Sequence, residues 1–250
     1  MNLMSEEKGM RIIRAKNYEE LSRQAANLIV AQVQLKPNAV LGLATGGSPV
    51  GAYEVIQKRY EQGDVDFSEV TTINLDEYRG ISRAHEQSYW HFMHEHLFDH
   101  VNVPEDHIFV PDGENLNGEE VCRAYEKVIR QAGGIDLQLL GIGLDGHIGF
   151  NEPADHFEMD THLVDLPEST IEANKRFFAN REEVPRQAYT MGIRSIFQAK
   201  KIVLIANGAG KADILRQAFT GPVTPQIPAS ILQLHSDVTL IADEEALKEF

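Results

Sequence analysis

The chain of 250 residues contains one cysteine, Cys122. An intrachain disulfide is therefore excluded, and so is a thiolate-rich zinc or iron–sulfur centre. Positive charge is scarce as well: 23 Lys and Arg stand against 38 Asp and Glu, giving a formal net charge of −15 with no long basic block. Such a surface repels a phosphate backbone and an anionic bilayer, so neither nucleic acid nor a membrane is an expected partner. No apolar run approaches the roughly 20 residues that cross a bilayer. Residues 1–8 are polar and carry Glu6 and Glu7 where a secretory leader would have basic and then apolar residues. The expectation is a soluble, cytoplasmic protein. Internal repeats, low-complexity tracts and a dividing linker are also missing, so one domain over residues 1–250 is expected, with 1–9 as a flexible extension.

What is present is enough apolar material, 42% of residues, for one large core. Apolar runs of strand length occur at 39–44, 70–74, 137–142, 201–206 and 238–242, and amphipathic segments at 18–35, 50–62, 88–98, 119–131 and 211–219 lie between them. Near-continuous apolar runs are the mark of strands covered on both faces, and their alternation with helices predicts an α/β doubly wound sandwich with a mainly parallel sheet. In that architecture ligands bind beyond the carboxyl ends of the strands. The residues just after each run therefore carry the functional information.

Three such places stand out. The first is Thr45-Gly46-Gly47-Ser48-Pro49, where a strand runs into a Gly-rich turn and a helix start. Two glycines, two hydroxyls and a helix N-terminus make a cradle for an anion such as a phosphate. A simple turn with Ser48 as N-cap is the open alternative. The segment lacks the Lys-Ser/Thr ending of an ATP-binding loop and the glycine spacing of a dinucleotide fingerprint, so neither nucleotide is implied. The second is Asn74-Leu75-Asp76-Glu77-Tyr78, whose adjacent carboxylates suit a general base held at a strand end, or equally a turn cap with Asp76 accepting backbone N–H groups. The third is Asp145-Gly146-His147-Ile148-Gly149-Phe150-Asn151-Glu152-Pro153. A histidine between two acids has its tautomer fixed and its basicity raised, which suits proton transfer near neutral pH. His91, His94, His96 and His100 crowd one helical segment, but they do not form the His-Glu-x-x-His zinc pattern, and an exposed helix face explains them better than a metal site.

Together with Ala173-Asn174-Lys175-Arg176-Phe177-Phe178, these motifs resemble the glucosamine-6-phosphate deaminase family, in the family's order and across nearly the whole chain. The resemblance implies a Rossmann-like three-layer sandwich and conversion of an amino-sugar phosphate into a ketose phosphate and ammonium, without metal, nucleotide or organic cofactor. It implies Asp76 as the C2 base, His147 as the ring-opening group assisted by Asp145 and Glu152, and a phosphate site of Thr45, Gly46, Gly47, Ser48, Arg176 and Lys211. Residues 153–181 are the candidate lid.

Allosteric family members bind an acetylated sugar phosphate through Ser, Arg, Lys and Thr side chains in the segment where this chain has Asp155, His162, Val164 and Asp165. Two firm cations are lost and two carboxylates gained, which disfavours a phosphate there. The chain also ends at Phe250, without the longer tail of those members. The expectation is an unregulated short form, a monomer or small homo-oligomer rather than a hexamer. The rival activities are deamination of the galactosamine epimer and hydrolysis of 6-phosphogluconolactone; a catalytically silent sugar-phosphate sensor is disfavoured because all four acid–base positions are intact.

Overall fold

A computed structural model describes residues 4–7, 10–175, 178 and 180–250. In chain order its main elements are β1 (Met4–Glu7), β2 (Met10–Ala15), α1 (Tyr18–Leu35), β3 (Val40–Leu43), α2 (Gly47–Glu61), β4 (Thr71–Asn74), β5 (Asp76–Tyr78), α3 (Tyr89–His96), β6 (Ile108–Phe109), α4 (Gly118–Gln131), β7 (Leu137–Leu140), β8 (His162–Asp165), α5 (Glu168–Asn174), β9 (Gln187–Thr190), α6 (Ile193–Phe197), β10 (Ile202–Ala206), α7 (Ala212–Thr220) and β11 (Val238–Asp243). Each apolar run read from the sequence coincides with one of the central strands to within two residues at either end. Helix starts are set locally. At α1, Asn17 accepts the Glu20 N–H at 2.9 Å while Glu20 accepts the Lys16 N–H at 3.0 Å, a capping arrangement that satisfies two N–H groups at the helix start.

The large sheet has eight strands in the order β1-β2-β11-β10-β7-β3-β4-β6, and every pairing is parallel except that of β1 with β2. Helices cover both faces, giving three layers. Tyr53, Ile56, Leu21, Ile29 and Met93 from α1, α2 and α3 close one core with Leu41, Leu43 and Ile205. Tyr125, Ile129, Leu215 and Phe219 from α4 and α7 close the other with Leu140, Leu204 and Leu240. From β3 the chain proceeds through β4 to β6 on one side, and β7, β10 and β11 lie on the other. The strand order thus reverses between β3 and β7, the point beyond whose carboxyl ends such folds bind their ligands.

A second sheet was not anticipated. Strands β5, β9 and β8 form an antiparallel sheet in that order, with Asp76 opposite Thr190 and His162 opposite Thr190 on the other side. Its strands are three or four residues long and mix polar with apolar residues, so no apolar run announced them.

At the amino ends of the central strands, Asp136 is 3% exposed. Its Oδ2 accepts the Lys36 ammonium at 2.6 Å and the Val40 N–H at 2.8 Å, its Oδ1 accepts Lys200 at 2.8 Å, and its own N–H returns a bond to the Val40 carbonyl. Burial pushes this carboxyl up, but the lysine and backbone bonds outweigh it and hold it below its ordinary value. Its contribution to stability is therefore present above the unfolded-state pKa of about 4 and is lost as pH falls through the lower folded value. Both lysines re-solvate easily if the carboxylate goes, whereas the Val40 N–H does not. Asp136→Ala is expected to cost about 1–3 kcal/mol in urea unfolding at neutral pH, with the difference from wild type shrinking in acid.

Candidate active site

The loop after β3 enters α2 through Gly46, whose φ of 92° and ψ of 180° make it the residue flanking the helix, with no side-chain cap. Ser48 is thus inside the first turn and is not the N-cap: its hydroxyl donates to Asn207 Oδ1 at 3.0 Å. Tyr18 of α1 fixes this turn from behind, donating to the Gly47 carbonyl at 2.9 Å and accepting the Gly51 N–H at 2.9 Å. Thr45 is half-buried, Gly46 and Gly47 are exposed, and the space beside each glycine is open to 4 Å. A helix start with bare glycines in front of it presents backbone N–H groups to an anion. Lys211 enters from the β10–α7 connection, its ammonium donating to the Ile142 carbonyl at 2.6 Å. Burial lowers its pKa, and the nearby Asp145 opposes that. Gly208, three residues earlier, donates its N–H to both oxygens of Asp243 at 3.0 Å, so the end of β11 holds the turn that delivers Lys211. Arg176 lies outside the described residues.

Asp76 and Glu77 are adjacent and both buried, at 6% and 2% exposure, but their surroundings differ. Glu77 accepts the N–H groups of Tyr78 and Tyr89 on Oε1 and of Trp90 on Oε2, each at 2.9 Å. It therefore caps the start of α3 beside Ser88, the structural part the sequence left open for Asp76. Burial pushes Glu77 up to about 7 against those three bonds. Asp76 has no such compensation: burial, then the charge of Glu77, drive it up to about 8, and only the charge of His147 pulls it back. A carboxyl poised near 8 at a strand end is matched to proton transfer at neutral pH.

Beyond β7 the chain folds back so that Gly143 N–H bonds the His147 carbonyl at 2.9 Å. The imidazole lies flat on Gly143; a Cβ there would fall 2.3 Å from its ring, so no larger residue fits beneath it. His147 Nδ1 stands 2.8 Å from Asp145 Oδ1 and 3.2 Å from Glu152 Oε2. Burial works against its charge, but the two carboxylates prevail and hold the imidazole up to about 9, while Asp145 is held well below the ordinary carboxylate range, His147 outweighing its burial. Glu152 is oriented in turn by the Thr170 hydroxyl of α5, which donates to its Oε1 at 3.0 Å. Among the described residues this trio is the one group whose ligand-type atoms converge, all within 4.8 Å. In the histidine-rich segment, by contrast, His94 Nδ1 lies 2.7 Å from Asp99 and a His100 ring nitrogen lies 2.9 Å from the Glu95 carbonyl oxygen, without converging.

The structure therefore brings Asp76, Asp145, His147, Glu152, Ser48 and Lys211 to neighbouring strand ends. Sequence reasoning missed Tyr18, Asn207, Asp243, Thr170 and Thr190. Each acts on a motif far away in the chain, and an isolated polar residue carries no local signal of such a partner.

A doubly wound sheet with a bare helix start, a buried acid and an acid-flanked imidazole at neighbouring strand ends is the arrangement of an α/β enzyme. The family model for glucosamine-6-phosphate isomerases/6-phosphogluconolactonase matches residues 14–241, and the chain belongs to this family. A glucosamine-6-phosphate deaminase of Lachnoclostridium phytofermentans is 57% identical over 232 residues, covering 93% of this chain and 98% of that protein. One of Clostridium perfringens is 53% identical over 239 residues, covering 96% and 99%. Among solved structures, one described as a monomeric glucosamine-6-phosphate deaminase superposes with a TM-score of 0.93 at 42% identity, covering 96% of this chain and 99% of that one. A 6-phosphogluconolactonase from Trypanosoma cruzi shares the fold, with a TM-score of 0.78 at 18% identity and 96% coverage of both chains.

The His147 environment yields a direct expectation. Since its raised pKa rests on two carboxylates, Glu152→Gln should move the imidazole midpoint from about 9 toward the ordinary value near 6.5, followed by NMR titration of the ring. In the wild type the same shift adds stability that is complete below about 6.5 and is lost as pH rises through about 9. The variant should lose stability over a lower and narrower range.

Proposed function

We propose that the chain converts glucosamine 6-phosphate and water into fructose 6-phosphate and ammonium. The observation that carries this is the pairing of a buried carboxyl, Asp76, with the imidazole of His147 at strand ends on either side of an anion cradle. The identity of 57% and 53% to proteins named for this reaction supports it.

The phosphate is held by the N–H groups at the start of α2, by Ser48 and by Lys211, with Arg176 in the same role. His147, cationic at neutral pH, gives a proton to the ring oxygen, the bond between C1 and the ring oxygen breaks, and the anomeric hydroxyl returns its proton to the imidazole, leaving an open aldehyde. The substrate's ammonium at C2 attracts the carboxylate form of Asp76, which then takes the C2 proton. The released electron pair forms a C1–C2 double bond as the C1 oxygen takes a proton from His147 and the C2 ammonium gives one back, leaving an enolamine; Asp76 then returns its proton to C1, which shifts the double bond to a C2 iminium. Water adds to that carbon and ammonium leaves.

A lactone hydrolase needs no base at C2, whereas a buried carboxyl of raised pKa such as Asp76 supports a reaction that does; the lactonase structures at 16–20% identity share the fold. We read residues 153–181 as a lid with a fixed first half. There β8 pairs with β9, and Glu126 Oε1 accepts both the N–H and the hydroxyl of Thr161 at 2.8 Å. The part that closes begins at α5. The 42% identical structure is described as monomeric, which supports a monomer here. No helix among the described residues is long and apolar enough to cross a membrane, and a cytoplasmic location fits the composition.

Purified protein should release ammonium from glucosamine 6-phosphate, and Asp76→Asn should lower kcat by about 10²–10⁴-fold with little change in KM. Lys211→Met should instead act mainly on KM. No release from glucosamine 6-phosphate, but release from the galactosamine epimer, would transfer the proposal to that sugar; lactone hydrolysis alone would overturn it. The dependence of kcat/KM on pH should be a bell, rising as Asp76 ionises near 8 and falling as His147 loses its proton near 9.

A further inference from the structure

No hydrogen bond among the described residues links the Asp76 side chain to the His147 loop. Their relative position is set by a third segment, the end of β9. Met191 N–H donates to the Leu75 carbonyl at 2.7 Å, fixing the residue before Asp76. The Met191 carbonyl accepts Asn151 Nδ2 at 2.9 Å, and the hydroxyl of Thr190 accepts the Phe150 N–H at 3.0 Å, fixing the loop that carries His147 and Glu152. Thr190 is fully buried and lies directly opposite Asp76 across the β5–β9 pair.

The packing at this point is close. Gly149 has a φ of +59°, and a Cβ built on it would stand 2.9 Å from Thr190 Oγ1 and 3.5 Å from Asp76 Oδ2. The hydroxyl, the carboxylate and the glycine backbone therefore surround one small volume. A strand residue that only filled space here would be served as well by valine, which is isosteric and favoured in strands. Valine cannot accept the Phe150 N–H, and a buried N–H left without a partner moves or opens to find one.

We infer that Thr190 is a positioning residue: its hydroxyl sets the separation between the Asp76 carboxylate and the His147 loop. This rests on the proposed deaminase reading, in which both groups act on one sugar. Proton transfers at C2 and at the ring oxygen then require both at their proper distances, and a displacement on the order of 1 Å costs about 10²-fold in rate. The phosphate cradle lies on other elements and does not depend on Thr190.

The test compares wild type, Thr190→Val and Thr190→Ser. Hydrogen exchange of the Phe150 amide should be faster in the valine variant, by about tenfold or more, and close to wild type in the serine variant. Ammonium release should show kcat lowered about 10–100-fold by valine, with KM within about threefold and a displaced pH bell, and serine should restore most of the rate. A valine variant with wild-type kcat and pH profile overturns the inference. So does a loss shared equally by serine, or one that falls on KM and melting temperature alone. If wild type releases no ammonium from either amino-sugar phosphate, the functional reading fails separately. The His147 imidazole titration in the valine variant then decides: an unchanged midpoint overturns positioning, and a displaced one supports it.

Discussion

The three backbone N–H groups gathered by Glu77 are the constraint on which the crevice depends. Two adjacent carboxyls leave water at the end of β4, and the backbone offers compensation to one alone. Glu77 takes it all and in return fixes the start of α3 and the turn before it. Asp76 is left to burial and to the charge of its neighbour. A carboxyl of raised pKa is thus made by withholding hydrogen bonds from it while the residue beside it is saturated.

The same economy of placement governs the imidazole. His147 is laid on a bare glycine, charged by two acids of its own loop, and kept from drifting by Thr170 acting through Glu152. Asp76 and His147 influence each other through charge, each lying in the other's field, while their geometry is referred to β9. Electrostatic coupling and mechanical coupling therefore travel by different routes. The glycine turn before α2 and the turn bearing Lys211 are held by a third set of contacts, from Tyr18, Asn207 and Asp243, so they and the acid–imidazole pair rest on separable supports.

Much of this was legible in the sequence. The central strands at 40–43, 71–74, 137–140, 202–206 and 238–243 announced themselves as apolar runs because both their faces are covered. The motifs at 45–48, 76–77 and 145–152 were visible because chemistry needs several unusual residues close together. What could not be read was the assignment of tasks between Asp76 and Glu77, since both are acids and the difference lies in where the α3 N–H groups point. Nor could the small sheet be read: β5, β8 and β9 are short, and their partners are 22 to 114 residues away in sequence. Ser48 was open as a cap, and its bond to Asn207 depends on a strand order that composition does not encode.

The position of β9 along the chain has a consequence for biosynthesis. The segments bearing Asp76 and His147 leave the ribosome first, and the strand that aligns them emerges only after residue 186. Until it arrives, Asp76 has no strand across from it and the Phe150 N–H has no acceptor. A nascent or truncated chain ending before β9 lacks β10 and β11 as well, and its Asp76 and His147 segments are without the strand that bonds to both. The alignment of these groups is therefore acquired late, in the last quarter of synthesis, together with the two strands that complete the middle of the large sheet.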